Sequence, residues 1–302
     1  MDDFLSRLKN RVLLFDGGMG SMLIEAGLSD GEAPESWNLE RPDALLRIHE
    51  AYIEAGADVI QTNTFGATGI KLASSSRGDP PGTAEVNIAA VRLARRAIEE
   101  SGRAGVMVAG EIGPTGRFFP PMGDLTAGAA RAAFAEQARA LVEGGVDLIL
   151  VETMYDLREA VEAVAAAKEA GPVPVVCEMT MERKKRGFFT LMGDTPAGAA
   201  EALARAGADM TGANCSISSP DMVDLAAEFL EASPAPHIFQ PNAGSPGIVD
   251  GKAVYGQGPD EFASDMEKVV RAGARAVGGC CGTTPLFIAA LRKRLDAIGG
   301  DL

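Results

Sequence analysis

The chain has 302 residues, of which 46% are hydrophobic and only 5% aromatic, so its core has to be assembled mainly from Ala, Val, Leu and Ile. That length suits one large domain as well as two. A formal net charge of −14 creates a field that repels phosphate backbones and anionic lipid heads, which argues against nucleic-acid and membrane partners.

At the N-terminus, "MDDFLSRLKNRVLLFDGG" contains an apolar run of only four residues. This is too short for a signal-peptide core or a bilayer span, and the expected location is the cytoplasm. Disulfides are rare in that reducing compartment. The four cysteines, Cys177, Cys215, Cys280 and Cys281, are therefore expected as metal ligands, catalytic groups or buried thiols.

Strand-like segments follow in order at 12–17, 58–64, 106–112, 148–153, 173–180, 210–215, 237–243 and 276–281. Helix-like segments separate them, at 43–55, 85–101, 127–143, 156–169, 196–206, 220–232, 259–272 and 285–297. One phrase recurs at the joints: "EAGADVI" (54–60), "EGGVDLI" (143–149), "RAGADMT" (205–211) and "RAGARAV" (271–277). In each, a helix ends on a glycine suited to a left-handed C-cap and a short apolar run suits a buried strand. The glycines, at 56, 145, 207 and 273, are 89, 62 and 66 residues apart. Those intervals are close to three, two and two units of roughly 30 residues, as repeated βα units would give.

Eight such units without a break in composition predict a single-domain (β/α)8 TIM barrel over residues 1–302, with an open doubly wound sheet as the alternative. The stretches 74–82, "ERKKR" at 182–186 and 244–251 are expected to be loops, the second of them solvated.

Chemistry in a barrel of this kind collects where the strands end, because the βα loops there share one mouth. The predicted strands end on Asp16; Thr62, Asn63 and Thr64; Glu111; Glu152; Glu178; Asn214 and Cys215; Asn242; and Cys280 and Cys281. Three cysteines thus reach the rim, from strands six and eight. Zinc is the best metal candidate for them, since it accepts tetrahedral sulfur coordination and three protein ligands leave a fourth position for substrate. Buried inert thiols and a redox or nucleophilic cysteine stay open as alternatives. The nucleophile needs a base, and the two histidines offer none: His49 is expected on a helix outside the barrel, and His237 at the strand end opposite the rim. Cys177, inside "PVVCEM", reads as a small core hydrophobe.

The motifs "FDGGMGSML", "QTNTFGA", "EIGPTG", "VETMYD", "GANC", "PNAG" and "GGCCGTTP" occur in an order that resembles the homocysteine S-methyltransferase family, from about residue 12 to 293. The family includes the homocysteine-binding module of cobalamin-dependent methionine synthase and its stand-alone relatives. The resemblance implies a zinc-dependent barrel with Cys215, Cys280 and Cys281 as ligands. It implies that Asp16 and Glu152 hold the homocysteine ammonium, that the Gly17 and Gly18 amides receive its carboxylate, and that Thr62 and Asn242 line the pocket. No separate protein nucleophile is implied, since the zinc-bound substrate thiolate is the attacking group. The expected product is methionine, with the methyl group coming from a methylcorrinoid on a separate cobalamin-binding protein. A sulfonium donor of the S-methylmethionine type, another small thiol acceptor and a non-enzymatic zinc- or thiol-binding module are the alternatives. Betaine is disfavoured because Gly66 and Thr153 stand where the betaine-using branch has cage tyrosines. Two segments depart from the family pattern: Ser216 to Pro220 ("SISSP") after "GANC", and Leu286-Phe287 after "GTTP".

Overall fold

The computed structural model describes residues 3–29, 31–75, 80–249 and 252–299. Eight parallel strands form one sheet: Leu13–Leu14, Val59–Gln61, Met107–Ile112, Leu148–Met154, Val175–Met179, Met210–Ser218, His237–Asn242 and Ala276–Val277. The first strand pairs with the eighth, Leu13 opposite Ala276, and Phe15 bridges Val59 of the second, so the ladder returns to its start as a closed barrel. Closure leaves no sheet edge unpaired. The doubly wound alternative is excluded.

The eight main helices lie within two residues of their predicted bounds, for example Ala127–Gly144, Pro196–Ala206 and Pro285–Ile298. Gly56, Gly145, Gly207 and Gly273 all have positive φ, between 92 and 124°. Each ends a helix in the left-handed region that only glycine enters freely, and so turns the chain back into the barrel.

Two expected loops contain strands. Glu182–Lys184, within "ERKKR", pairs with Gly187–Phe189 as an antiparallel hairpin whose first strand is fully exposed. Pro246–Val249 pairs antiparallel with Lys252–Tyr255, and residues 250–251 lie outside the described residues. Of the expected loop 74–82, Ser74 and Ser75 close a short helix, Gly69–Ser75, and residues 76–79 lie outside the described residues. Short strands joined by charged or glycine-rich turns give too few residues for an alternating pattern to stand out from a loop.

The barrel interior is filled from below by Leu13, Val59, Met107, Leu148, Val176, Met210, Ile238 and Ala276. An unpredicted helix, Phe4–Asn10, closes that end: Asp3 caps it by accepting from the Ser6 amide at 2.7 Å, and Phe4 meets Phe15 edge-on with ring centroids 6.4 Å apart. Burying Phe4 and Leu8 stabilises this plug by about 1.5–3 kcal/mol each. The larger apolar cluster lies between the barrel and its helices. Among the described residues no helix is long and apolar enough to cross a membrane.

Candidate metal and substrate site

With its lower end plugged by this helix, the barrel interior opens at the C-terminal mouth. The eighth strand stops at Val277, four residues short of the expected end, because the chain turns at Gly278-Gly279 to interlock with the first βα loop. The Gly279 amide donates to the Asp16 carbonyl at 3.1 Å, and the Cys280 amide to Pro241 at 2.9 Å. A Cβ on Gly18 would sit 2.6 Å from the Cys280 carbonyl oxygen, so glycine is required where these loops touch. Strand six leaves regular geometry at the same level: Cys215 and Ser216 have φ of 56 and 57°, a region that side-chain-bearing residues seldom occupy.

These turns bring three sulfurs together. Cys215 Sγ lies 3.8 Å from Cys281 Sγ, Cys280 Sγ lies 4.0 Å from Cys281 Sγ, and all three fall within 4.8 Å of one another. A tetrahedral ion with metal–sulfur bonds of about 2.3 Å requires sulfurs about 3.8 Å apart, so the trio can hold one. Hydrogen bonds from the Cys215 and Cys280 thiols pull the Cys281 thiol down to about 3, while those to Cys215 and Cys281 push Cys280 well up. One thiolate is thus supported by two thiols; charging all three needs a cation at the centre. The Tyr255 hydroxyl, carried in by the second hairpin, also bonds to Cys281.

Beside the sulfurs lies a group of buried carboxyls. Glu111 and Glu152, from strands three and four, are hydrogen-bonded to each other. Burial first, and then the charge of Glu152, pushes Glu111 well above the carboxylate range; burial raises Glu152 too. Glu35 is raised by burial and accepts from the Gly66 amide at 2.6 Å. Asp16 accepts from the Gln61 amide at 3.0 Å and from Gln61 Nε2 at 2.7 Å, yet burial lifts its pKa to about 7. A site with this many desolvated acids favours a cationic guest.

A cavity of about 220 Å³ joins the two groups and suits a small metabolite. Gly17, Gly18, Glu152, Cys215, Cys280 and Cys281 line it, with Glu35, Gln61, Asn63, Phe65, Glu111 and Thr153. Asp16, Thr62 and Asn242 are not among its lining residues. Asp16 stands behind Gln61. Thr62 braces Glu111, its Oγ1 accepting from the Glu111 amide at 3.0 Å. Asn242 is buried with its Oδ1 unpartnered. The Gly18 amide already donates to Thr283, at 3.2 Å to its carbonyl and 3.1 Å to its Oγ1.

Sequence reasoning placed Glu111 on the rim but gave it no role; its place on the strand next to that of Glu152 was the available signal. Glu35, in the short 3-10 helix Pro34–Ser36, carries no periodic signal at all. The other expectations concern packing. His49 is buried and held neutral, its pKa lowered to about 4 by desolvation. His237 sits at the closed end, its ring nitrogens 3.1 Å from Thr211 Oγ1 and the Ser233 carbonyl. Cys177 is fully buried and pushed well up. In the first atypical segment, Ser216–Ser218 extend strand six and Ser219 opens the next helix; in the second, Leu286 is exposed while Phe287 packs edge-on against Phe262.

The family model for homocysteine S-methyltransferase matches residues 13–295. Methionine synthase from Mycobacterium tuberculosis (strain ATCC 25618 / H37Rv) is 33% identical over 300 residues, covering 95% of this chain and 25% of that protein. Methionine synthase from Mycobacterium leprae (strain TN) is 33% identical over 297 residues, covering 94% and 24%. The chain therefore spans about a quarter of the length of the curated relatives it matches. Among solved structures, the metallated form of the homocysteine methyltransferase MmuM from Escherichia coli is similar with a TM-score of 0.79 and 25% identity, over 95% of this chain and 97% of that one. Its oxidized form gives 0.77 and 27%, over 94% and 96%. The chain belongs to the homocysteine S-methyltransferase family.

Proposed function

We propose that the chain transfers a methyl group to the sulfur of homocysteine, giving methionine, with a zinc ion held by Cys215, Cys280 and Cys281. The observation that carries this assignment is the meeting, in one small cavity, of three sulfurs at ligand spacing with a pair of buried carboxyls. Zinc bound there would keep the substrate sulfur as thiolate, a form that a free thiol of pKa near 8.5 supplies only to a few per cent at neutral pH.

The chain's own groups orient the rest of the substrate. Glu111 and Glu152 share a proton across their hydrogen bond. An arriving ammonium group offers its own donors in place of that proton, so both acids ionise against it. Asp16 adds negative charge from behind Gln61, and Thr62 fixes Glu111. The Gly18 amide is engaged with Thr283, so on that turn the Gly17 amide receives the carboxylate. Asn242 keeps an unpartnered acceptor close to the mouth. The sulfur attacks the methyl carbon; the new S–C bond forms as the bond to the donor breaks, and that electron pair stays with the donor.

The donor assigned here is a methylcorrinoid carried by a separate protein. Support comes from the surface: six large hydrophobic side chains are exposed among the described residues, Ile24, Leu39, Met122, Leu191, Val254 and Leu286. All six belong to βα segments at the mouth of the barrel. Large apolar surface marks where partners dock, and a corrinoid protein seated on the mouth would cover these side chains.

A metal assay combined with homocysteine methylation from a methylcorrinoid protein, from free methylcobalamin and from S-methylmethionine tests both assignments. About one zinc per chain and transfer from the corrinoid donors are expected. Transfer from S-methylmethionine with no corrinoid present would overturn the donor. Metal-loaded protein that methylates homocysteine from none of them would leave only a thiol- or zinc-binding module.

A further inference from the structure

Asn214 is fully buried between the two halves of the site, and its amide is spent on both. Its Nδ2 donates to Glu152 Oε2 at 2.9 Å and to Thr153 Oγ1 at 2.8 Å, and lies 4.0 Å from Cys280 Sγ. Its Oδ1 accepts from the Thr153 amide at 2.9 Å. Strands four and six are not neighbours, since strand five pairs with each of them, so no ladder bond joins Thr153 to Asn214. Among the described residues, the hydrogen bonds between these two strands run through the side chain of Asn214.

The backbone it connects is out of the ordinary on both sides. Thr153 has φ of 56°, and Cys215, next in sequence to Asn214, has the same value. Residues with a Cβ hold that conformation only where their surroundings impose it. At Thr153 the surroundings are the three hydrogen bonds to or beside Asn214; at Cys215 they are the loop that aims its sulfur at Cys280 and Cys281. The position of Cys215 therefore sets where the Asn214 backbone sits, and Asn214 sets the orientation of Glu152.

We propose that Asn214 is a positioning residue that couples the two sites, so that metal binding at the cysteines organises Glu152 for the ammonium group. The coupling rests on the zinc and homocysteine assignments made above. By thermodynamic linkage it acts equally in reverse: an amino acid in the carboxyl site tightens the metal by the same factor.

The probe is 2-aminobutyrate, which has the ammonium, carboxylate and carbon chain of homocysteine but no sulfur, so it reports the ammonium site without ligating the metal through a thiolate. Its dissociation constant is measured by calorimetry on the full chain, metal-free and zinc-loaded. Zinc affinity is measured in turn by competition with a chromophoric chelator, with and without 2-aminobutyrate. In the wild-type protein each ligand is expected to tighten the other by the same factor, about 5-fold or more. In Asn214→Ala both factors are expected to fall to within about twofold of unity. A merely structural role would weaken both ligands and leave the ratio unchanged.

Asn214→Ala with the wild-type ratio would overturn the coupling, as would a wild-type ratio of one in a protein that binds both ligands. A wild-type protein that takes up no zinc would overturn the functional assignment itself. Should Asn214→Ala not fold, Thr153→Gly/Asn214→Ala removes the same link from a backbone that glycine holds without support, and the same outcomes decide.

Discussion

Replacing Asp16 by Asn removes a charge that the fold tolerates poorly while keeping the shape of the side chain. In the folded protein burial lifts this carboxyl from 3.8 to about 7, against the two hydrogen bonds from Gln61 that favour its ionised form. The unfolded chain releases the proton near pH 4 and the folded chain near pH 7. The contribution of Asp16 to stability is therefore fully present below the unfolded value and is lost as pH rises through the folded one. A shift of this size corresponds to about 4 kcal/mol at completion. Between pH 5 and pH 8 the linkage relation gives a loss of about 2–3 kcal/mol. The variant lacks this slope. It carries instead a pH-independent penalty of about 1–3 kcal/mol, because its amide turns an N–H toward the Gln61 amide or leaves a buried donor unpaired. Urea unfolding of both metal-free proteins at pH 5 and pH 8, at one ionic strength, isolates the term, since all other titrations cancel in the difference. The advantage of wild type over Asp16→Asn should shrink by about 2–3 kcal/mol as the pH is raised. The same difference at both pH values would show that Asp16 is ionised throughout and would refute the account of a site strained by its own acids.

Three other outcomes follow from the site. Glu152→Gln keeps an acceptor for Asn214 but removes charge from the ammonium site, so calorimetry should show homocysteine binding weakened about 10- to 150-fold, with zinc content unchanged; undiminished affinity would place the ammonium elsewhere. Cys280→Ser should lose both metal and transfer, whereas Cys177→Ala, in the apolar shell, should keep both and lose only modest stability; a fully active Cys280→Ser would sink the zinc assignment. Leu191→Glu combined with Leu286→Glu should slow transfer from a protein-borne methylcorrinoid at least about tenfold and spare free methylcobalamin, by removing apolar contact from the rim; an equal loss with both donors would mean the rim binds no protein.

Helix positions and strand order were legible because two periodicities and a glycine-capped joint repeat along the chain, and each reports local geometry. The strand ends were less so. Strand six runs to Ser218, past its predicted end at residue 215, by absorbing a register shift between Asn214 and Ser218. Strand eight, by contrast, stops early at Val277. Both deviations answer to contacts made with other segments, and a single sequence carries no trace of partners tens to hundreds of residues away. The same limit explains the site. Glu152 and the cysteines line the cavity, but the proton shared with Glu111, the brace from Thr62 and the screening of Asp16 by Gln61 depend on pairings across strands. Glu35 is the extreme case, brought to the cavity by a short helix that neither periodicity predicts.

The adjacent pair Cys280-Cys281 shows why the deviations and the chemistry coincide. Successive residues of a strand point to opposite faces, so two neighbouring cysteines in extended conformation cannot present both sulfurs to one ion. The ladder has to end before them, and Gly278-Gly279 ends it. Neither glycine could carry a side chain: a Cβ on Gly278 would lie 2.5 Å from Gln240 Oε1, and one on Gly279 would lie 2.4 Å from Thr283 Oγ1. The first βα loop fixes the same turn, through hydrogen bonds of the Gly279 and Gly18 amides. Loss of regular pairing at the eighth strand is therefore the condition for the sulfur cluster, and not a defect beside it. A larger residue at Gly18 should act on metal retention before it acts on the barrel, because the first atom it meets is the carbonyl of Cys280, one of the three proposed ligands.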